Sequence, residues 1–182
     1  MRQDYDVIIV GAGPAGLFAA SYLSWRSSLR VLLLDRGRLP LERDCPAKEN
    51  NKCLQCDPCN ILSGFGGAGL FSDGKLNFIH KLGKTDLSQF MSVQEAKELI
   101  RETESIFSAH GMDGPVYPSD PEIARNMRKE ARREGMELLL IRQKHLGSDN
   151  LPRHIASMLQ EVEKGGVEVL PGTEVHHLIL EA

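Results

Sequence analysis

The 182-residue sequence has no run of roughly 18 apolar residues, the length a membrane-spanning helix requires. Its opening, Met1-Arg2-Gln3-Asp4-Tyr5-Asp6, leads into a short apolar run with neither the core nor the cleavage site of a signal peptide. A cytoplasmic protein is therefore expected. It also lacks a large charge of one sign: 22 basic against 25 acidic side chains, net −3, give no overall field to recruit nucleic acid or anionic lipid. Glycine (17) and proline (9) are too few for a collagen-like or disordered chain, and there is no internal repeat or low-complexity tract. Cysteine is scarce as well. Four residues cannot staple a disulfide scaffold, yet all four lie between Cys45 and Cys59. What is present, 41% hydrophobic and 26% charged residues, is the composition of an ordinary globular protein of roughly one domain and a remainder.

Val7-Ile8-Ile9-Val10 is a continuous β-branched run stopped by glycine, which predicts a strand buried on both faces of a parallel sheet. Residues 14–25 read as a helix whose Ala15, Ala19, Ala20 and Ser21 let it lie close to that sheet. Arg30 to Leu34 reads as a second buried strand ending at Asp35. Strand, helix and strand make a βαβ unit. Residues 36–90 have no period and form an irregular insertion that must be functional or braced. Ser92 and Glu95 make a capping box before Val93, Ala96, Ile100 and Phe107, and Ser119 with Glu122 repeats the pattern before an apolar stripe of Ile123, Met127 and Ala131. Glu137 to Ile141 reads as a strand. A helix follows from Pro152 through Val162 to Gly165-Gly166, and then two short strands, Val167 to Leu170 and Thr173 to Leu180.

Gly11-Ala12-Gly13-Pro14-Ala15-Gly16 follows a predicted strand and opens a predicted helix, the context in which GxGxxG has a mechanism. Gly11 permits the turn, Gly13 lets backbone approach a diphosphate, and Gly16 lets helix and strand pack closely, while helix N–H groups and dipole face the phosphates. Asp35, at the end of the second strand, can accept hydrogen bonds from ribose hydroxyls. Arg36 and Arg38 either hold a 2′-phosphate, which would mean NADP, or are solvated arginines beside a ribose-binding acid.

Tyr5 to Gly16 with Asp35-Arg36-Gly37 resembles the N-terminal FAD fingerprint of two-dinucleotide-binding-domain flavoproteins of the glutathione reductase type. Cys45-Pro46, Cys53-Leu54-Gln55-Cys56-Asp57-Pro58-Cys59, Ser63-Gly64-Phe65-Gly66-Gly67-Ala68-Gly69-Leu70-Phe71-Ser72-Asp73-Gly74-Lys75-Leu76 and His145-Leu146-Gly147-Ser148-Asp149 are similar to the FAD-dependent dehydrogenases of bacteria and archaea. The resemblance implies FAD bound through Gly11, Gly13, Pro14, Ala15, Gly16, Asp35 and Arg36, with backbone near Val175 against the adenine. It implies that Gly66 and Gly67 approach the cofactor, that Lys75 supplies positive charge to the diphosphate or the reduced flavin, and that NAD(P)H is a candidate electron donor. Otherwise the glycine-rich stretch is a flexible loop and Lys75 a solvated cation. Family members continue through further strands and a late Gly-Asp motif, so the sequence is expected to be an N-terminal portion.

Cys45-x7-Cys53-x2-Cys56-x2-Cys59 has spacing that lets four sulfurs converge on zinc or on an iron–sulfur cluster. The other readings are a redox pair such as Cys53 and Cys56, or four thiols without chemistry. Arg125, Arg128, Lys129, Arg132 and Arg133 fall opposite the apolar stripe of their helix and are expected to be a solvated face rather than a nucleic-acid site. His145 is either a proton donor near substrate or a loop histidine beside a helix-capping Asp149.

The fold expected is α/β: a Rossmann-like FAD-binding βαβ unit with a parallel sheet, an irregular cysteine-rich insertion and an added helical segment, together an incomplete FAD/NAD(P)-binding domain. Residues 1–80 would hold the βαβ unit and insertion, 81–147 a helical segment belonging partly to a substrate domain, and 148–182 a return to the FAD-binding domain. The expected function is that of an FAD-dependent oxidoreductase; the alternative is a catalytically incompetent fragment that binds only a nucleotide or a metal.

Overall fold

The computed structural model describes residues 4–147 and 149–180. In chain order its elements are β1 (Val7–Val10), α1 (Pro14–Arg26), β2 (Val31–Leu34), α2 (Ala47–Asn50), β3 (Lys75–Asn77), β4 (Lys81–Leu82), β5 (Thr85–Asp86), α3 (Val93–Ala109), β6 (Val116–Tyr117), α4 (Pro121–Arg133), β7 (Gln143–His145), α5 (Leu151–Lys164) and β8 (Glu168–Leu170). They form two compact units, Met1–Ser72 with Ser148–Ala182, and Asp73–Gly147. Residues 73–80, expected with the first segment, lie in the second unit because β3 pairs there with β7. No helix among the described residues is long and apolar enough to cross a membrane.

The first unit is built on a parallel sheet of order β1-β2-β8. Val7 to Val10 stand opposite Val31 to Leu34, and Leu32 to Leu34 opposite Glu168 to Leu170. β2 is central, so all four of its side chains are buried. Burying each of these is worth about 1.5–3 kcal/mol. β1 corrects the sequence reading: it is not covered on both faces. Among the described residues it pairs only with β2, and Ile8 and Val10, which share one face of the strand, are 56% and 57% exposed because no described element covers that face of the sheet there. Pro14 starts α1 with its fixed φ and no donor to waste. α1 buries Leu17 and Ala20 and packs on α5, which buries Ile155, Met158, Leu159 and Val162. The two helices close tightly at Gly165, where a Cβ would stand 2.6 Å from Ser24 Cβ. Thr173 to Leu180 is not a strand. Gly172 N and Thr173 N bond Gly37 O and Asp35 O, after which the segment joins no ladder among the described residues.

The second unit has an antiparallel sheet of order β3-β7-β6 and a β4–β5 hairpin. α3 begins at the expected capping box: Glu95 N donates to Ser92 Oγ at 3.2 Å and Ser92 N to Glu95 Oε2 at 2.8 Å. α4 is capped by Asp120, not Ser119. Its Oδ1 accepts from both Glu122 N and Ile123 N, because Pro121 starts the helix and so puts Asp120, not Ser119, at the N-cap. The stripe expected to be buried on α4 is largely exposed at Ile123 and Met127, and Ala124 is the residue that packs. Glu137 to Ile141 is not a strand either; the extended run lies just beyond it, where Gln143–His145 finds partners on both sides. At the centre of β7, Lys144 is 4% exposed and its ammonium is met by Asp113 Oδ1 at 2.7 Å, Glu104 Oε1 at 3.2 Å and Ser108 Oγ at 3.0 Å. A buried ammonium persists only when its donors are matched this way.

Candidate dinucleotide site

The first turn is fixed by backbone geometry and one carboxylate. Gly11 has φ +97°, a conformation that side chains disfavour, and its N–H donates to Leu34 O at 2.8 Å. A Cβ on Gly16 would lie 1.9 Å from Gly11 O, so this position admits only glycine. Asp35 ties the turn to the sheet: Oδ2 accepts from Ala12 N at 2.9 Å and Oδ1 from Gly37 N at 2.8 Å. Each oxygen keeps a lone pair for a further donor. Gly13 is the N-cap of α1, which has no side-chain cap and no acidic residue in its first turn, so its leading N–H groups and positive dipole end carry no anion of the protein's own.

The glycine-rich stretch lies on this turn. Gly66 N donates to Ala12 O at 2.8 Å, and a Cβ on Gly67 would meet Gly13 Cα and Pro14 Cδ at 3.2 Å. What holds it there is Arg43, which reading of the sequence missed. This guanidinium is 5% exposed. Its Nε donates to Asn60 O at 2.9 Å, Nη2 to Ile61 O at 2.7 Å, and Nη1 to Phe65 O and Gly67 O at 2.9 Å and to Gly64 O at 3.3 Å. Phe71 stacks 5.1 Å from it. Burial pushes the Arg43 pKa down, opposed by the charge of Asp35, and the side chain stays a cation. In sequence Arg43 sits in Glu42-Arg43-Asp44 and reads as solvated. The usable signal was the glycines themselves: Gly64, Gly66 and Gly67 all have positive φ and leave several carbonyls without a ladder partner.

A cleft of about 290 Å³ opens at the carboxyl ends of the parallel strands. Val10, Gly11, Leu34, Asp35 and Arg36 line one side, Leu62 and Ser63 come from the insertion, and Thr173, Glu174 and Val175 close it after β8. Open α/β sheets bind ligands at this end. Arg36 is not free: Nε donates to Ser63 Oγ at 3.1 Å and Nη1 to Glu174 Oε1 at 3.3 Å. The structure thus brings Gly11, Asp35, Arg36 and Val175 to one cleft, with Gly13, Pro14, Gly66 and Gly67 stacked along the same turn; Ala15 and Gly16 lie in the first turn of α1. Lys75 belongs to the second unit, where its ammonium pairs with Asp73 Oδ2 at 2.9 Å. In that unit His145 Nε2 bonds Asp73 O at 2.9 Å, and the N-cap of α5 is Asn150 rather than Asp149.

The four cysteines stand as separate thiols. Cys45, Cys53, Cys56 and Cys59 are free thiols, Cys53 and Cys56 exposed and the other two half-buried. Among the described residues no three His, Cys, Asp or Glu side chains stand together to hold an ion. Asn51 and Gln55 take left-handed conformations, the first before and the second inside the x2-spaced run, and Gln55 N donates to Cys53 Sγ at 3.4 Å. The insertion is braced by Arg43. Hydrogen bonding from Leu62 and Ile61 N–H groups, then the charges of Arg43 and Arg36, hold the Cys59 thiol below its ordinary pKa.

Sheet, crossover helices and glycine turn together define a Rossmann-like α/β fold. Residues 9–40, from β1 to beyond β2, match the family described as the NAD(P)-binding Rossmann-like domain. Over 156 residues the chain is 28% identical to an oxygen-dependent choline dehydrogenase of Pectobacterium atrosepticum, covering 68% of this chain and 28% of the relative. Over 33 residues it is 61% identical to the thioredoxin reductase of Bacillus subtilis, covering 18% of this chain and 10% of the relative. Among solved structures, L-amino acid deaminase from Proteus vulgaris aligns with a TM-score of 0.47 at 16% identity, over 94% of this chain and 40% of that chain. The chain thus spans 28% of the length of the choline dehydrogenase it resembles.

Proposed function

We propose that this chain is the FAD-binding part of an FAD-dependent oxidoreductase, of the dehydrogenase type. The observation that carries the reading is the cleft where Gly11, Asp35, Arg36 and Val175 meet at the carboxyl ends of β1 and β2. The relatives' names, a choline dehydrogenase and a thioredoxin reductase, are those of oxidoreductases and support the class. In this reading the uncapped N–H groups of α1 take the diphosphate. The free lone pairs of Asp35 accept the adenosine ribose hydroxyls, and the backbone of Thr173 to Val175 borders the adenine. Arg43 keeps Gly66 and Gly67 on the turn, excluding water from the diphosphate. FAD, when bound, supplies the electron-pair chemistry.

The same geometry argues against NADP as the ligand of this cleft. A 2′-phosphate beside the ribose would face the carboxylates of Asp35 and Glu174, and Arg36, which would have to neutralise it, is engaged by Glu174. NAD(P)H enters the reading only as electron donor to a bound flavin. A second reading, a nucleotide binder without turnover, draws on the flank of β1 that no strand among the described residues pairs, and on its exposed Ile8 and Val10. Titration of the chain with FAD, followed by quenching of flavin fluorescence, should saturate and resist displacement by a tenfold excess of NADP. Displacement by NADP would overturn the FAD assignment; saturation without anaerobic flavin reduction by NADH or NADPH would favour the second reading.

A further inference from the structure

The second unit carries a cavity of its own, of about 630 Å³, inside the range of small-molecule sites. One wall is a single face of α3: Lys97, Ile100, Arg101 and Glu104 recur at the three- and four-residue spacing that aligns side chains on a helix. The opposite wall is the chain leaving β3, Phe78 to His80, and Arg142 closes one end. Phe78, Ile79 and Ile100 give the cavity an apolar floor.

Its charge is unbalanced, and the imbalance is built in. Arg142 Nη2 donates to Glu104 Oε1 at 2.7 Å and its other terminal nitrogen reaches Glu104 Oε2, a bidentate pair, with the guanidinium 5.2 Å over the Phe78 ring. Glu104 also meets the buried Lys144, which Asp113 neutralises in turn. These four groups sum to zero. Lys97, Arg101 and Glu98 remain and sum to one positive charge: Lys97 has no ion-pair partner among the described residues, and Arg101 has only Glu98, loosely, at 4.0 Å. An apolar floor with a surplus positive charge at its edge is complementary to an anion carried on an apolar body.

We propose that the groove between α3 and Phe78–His80 binds a small organic carboxylate, its apolar body on Phe78 and Ile100 and its carboxylate on Lys97 and Arg101. The site lies wholly within the second unit and is independent of the dinucleotide reading. Isothermal titration of the full chain with 4-phenylbutyrate tests it, alongside 4-phenylbutyramide, which has the same body without the charge, and inorganic phosphate, which has charge without the body. The acid should saturate at millimolar concentration or below, and the amide should bind at least about tenfold more weakly, as expected when one charge-assisted contact is lost. Phosphate should not displace the acid. The double change Lys97→Gln and Arg101→Gln should weaken the acid by about tenfold, whereas Glu98→Gln, which frees Arg101, should tighten it. Circular dichroism and thermal midpoint should be unchanged in both variants, since all three side chains are exposed. Equal binding of acid and amide, absence of saturation, displacement by phosphate, or an affinity indifferent to these substitutions would each overturn the proposal.

Discussion

Replacing Arg43 with Met keeps much of its length and apolar contact with Phe71 but removes every donor. Five carbonyls, at Asn60, Ile61, Gly64, Phe65 and Gly67, lose a charge-assisted bond of 2.7–3.3 Å. Hydrogen bonds to a charged group are worth about 1.5–3 kcal/mol each and do not add when they share one side chain, so losing all five should cost roughly 3–5 kcal/mol. No carboxylate is left unpaired, and some of the freed carbonyls lie where water can reach them, which places the expected loss at the lower end, about 3 kcal/mol. Arg43→Lys retains the charge but has three donors for five acceptors and no fixed fork, so about 1–2 kcal/mol is expected. The damage should be local first: residues 60–67 should become a protease-sensitive loop, and FAD affinity should fall because Gly67 is no longer held against Gly13. Urea denaturation gives the stability and limited proteolysis the location. An Arg43→Met protein within about 0.5 kcal/mol of the parent, with residues 60–67 still resistant, would refute the reasoning, since changes that small are typical of surface sites.

The two inner glycines of the turn should separate fold from ligand. Gly16→Ala, with a Cβ at 1.9 Å from Gly11 O, should cost more than about 3 kcal/mol, whereas Gly13→Ala, with its nearest neighbour at 3.9 Å, should fold normally and lose FAD affinity; urea midpoints and fluorescence titration distinguish them. The bidentate pair with Arg30 holds the Asp6 carboxyl at about 2, against an ordinary value near 3.8. A depressed carboxylate stabilises the fold above its unfolded pKa, so this contribution should be complete above about pH 4 and vanish as pH falls through 2; Asp6→Asn should abolish that part of the pH dependence of the thermal midpoint. All four thiols should titrate with a disulfide reagent without reduction, and Cys59 should react at lower pH than it does when Arg43 is changed to Met; a metal retained stoichiometrically after purification would contradict the first part.

The part of the structure that could be read from sequence is the part governed by local rules. Val7 to Gly16 and Val31 to Asp35 announce strand, turn, helix and strand because each glycine and each apolar side chain does its work within a few residues of itself. The capping box of Ser92 and Glu95 is legible for the same reason. Long-range facts were not. Whether both faces of β1 are covered depends on what packs over the sheet, so Ile8 and Val10 could be read as buried. Glu137 to Ile141 and Thr173 to Leu180 have strand composition, but a strand exists only where a partner offers its ladder. The cysteine spacing permits a metal centre, but spacing cannot show where each sulfur lies, and the four thiols of the described fold stand apart. Arg43 was illegible because its partners lie 17–24 residues away and are all backbone carbonyls, which leave no mark on side-chain pattern.

If the turn, Asp35 and the segment at Val175 form one FAD site, as proposed, ligand binding must be felt at all three. Backbone amide spectra of the isotope-labelled chain, recorded during titration with FAD, test it residue by residue. Saturable shifts are expected at Gly11 to Gly16, at Gly66 and Gly67, and at Thr173 to Val175, the amides of α3 staying in place and NADP at equal concentration producing no comparable set. Shifts confined to other residues, or the same set produced more strongly by NADP, would contradict it.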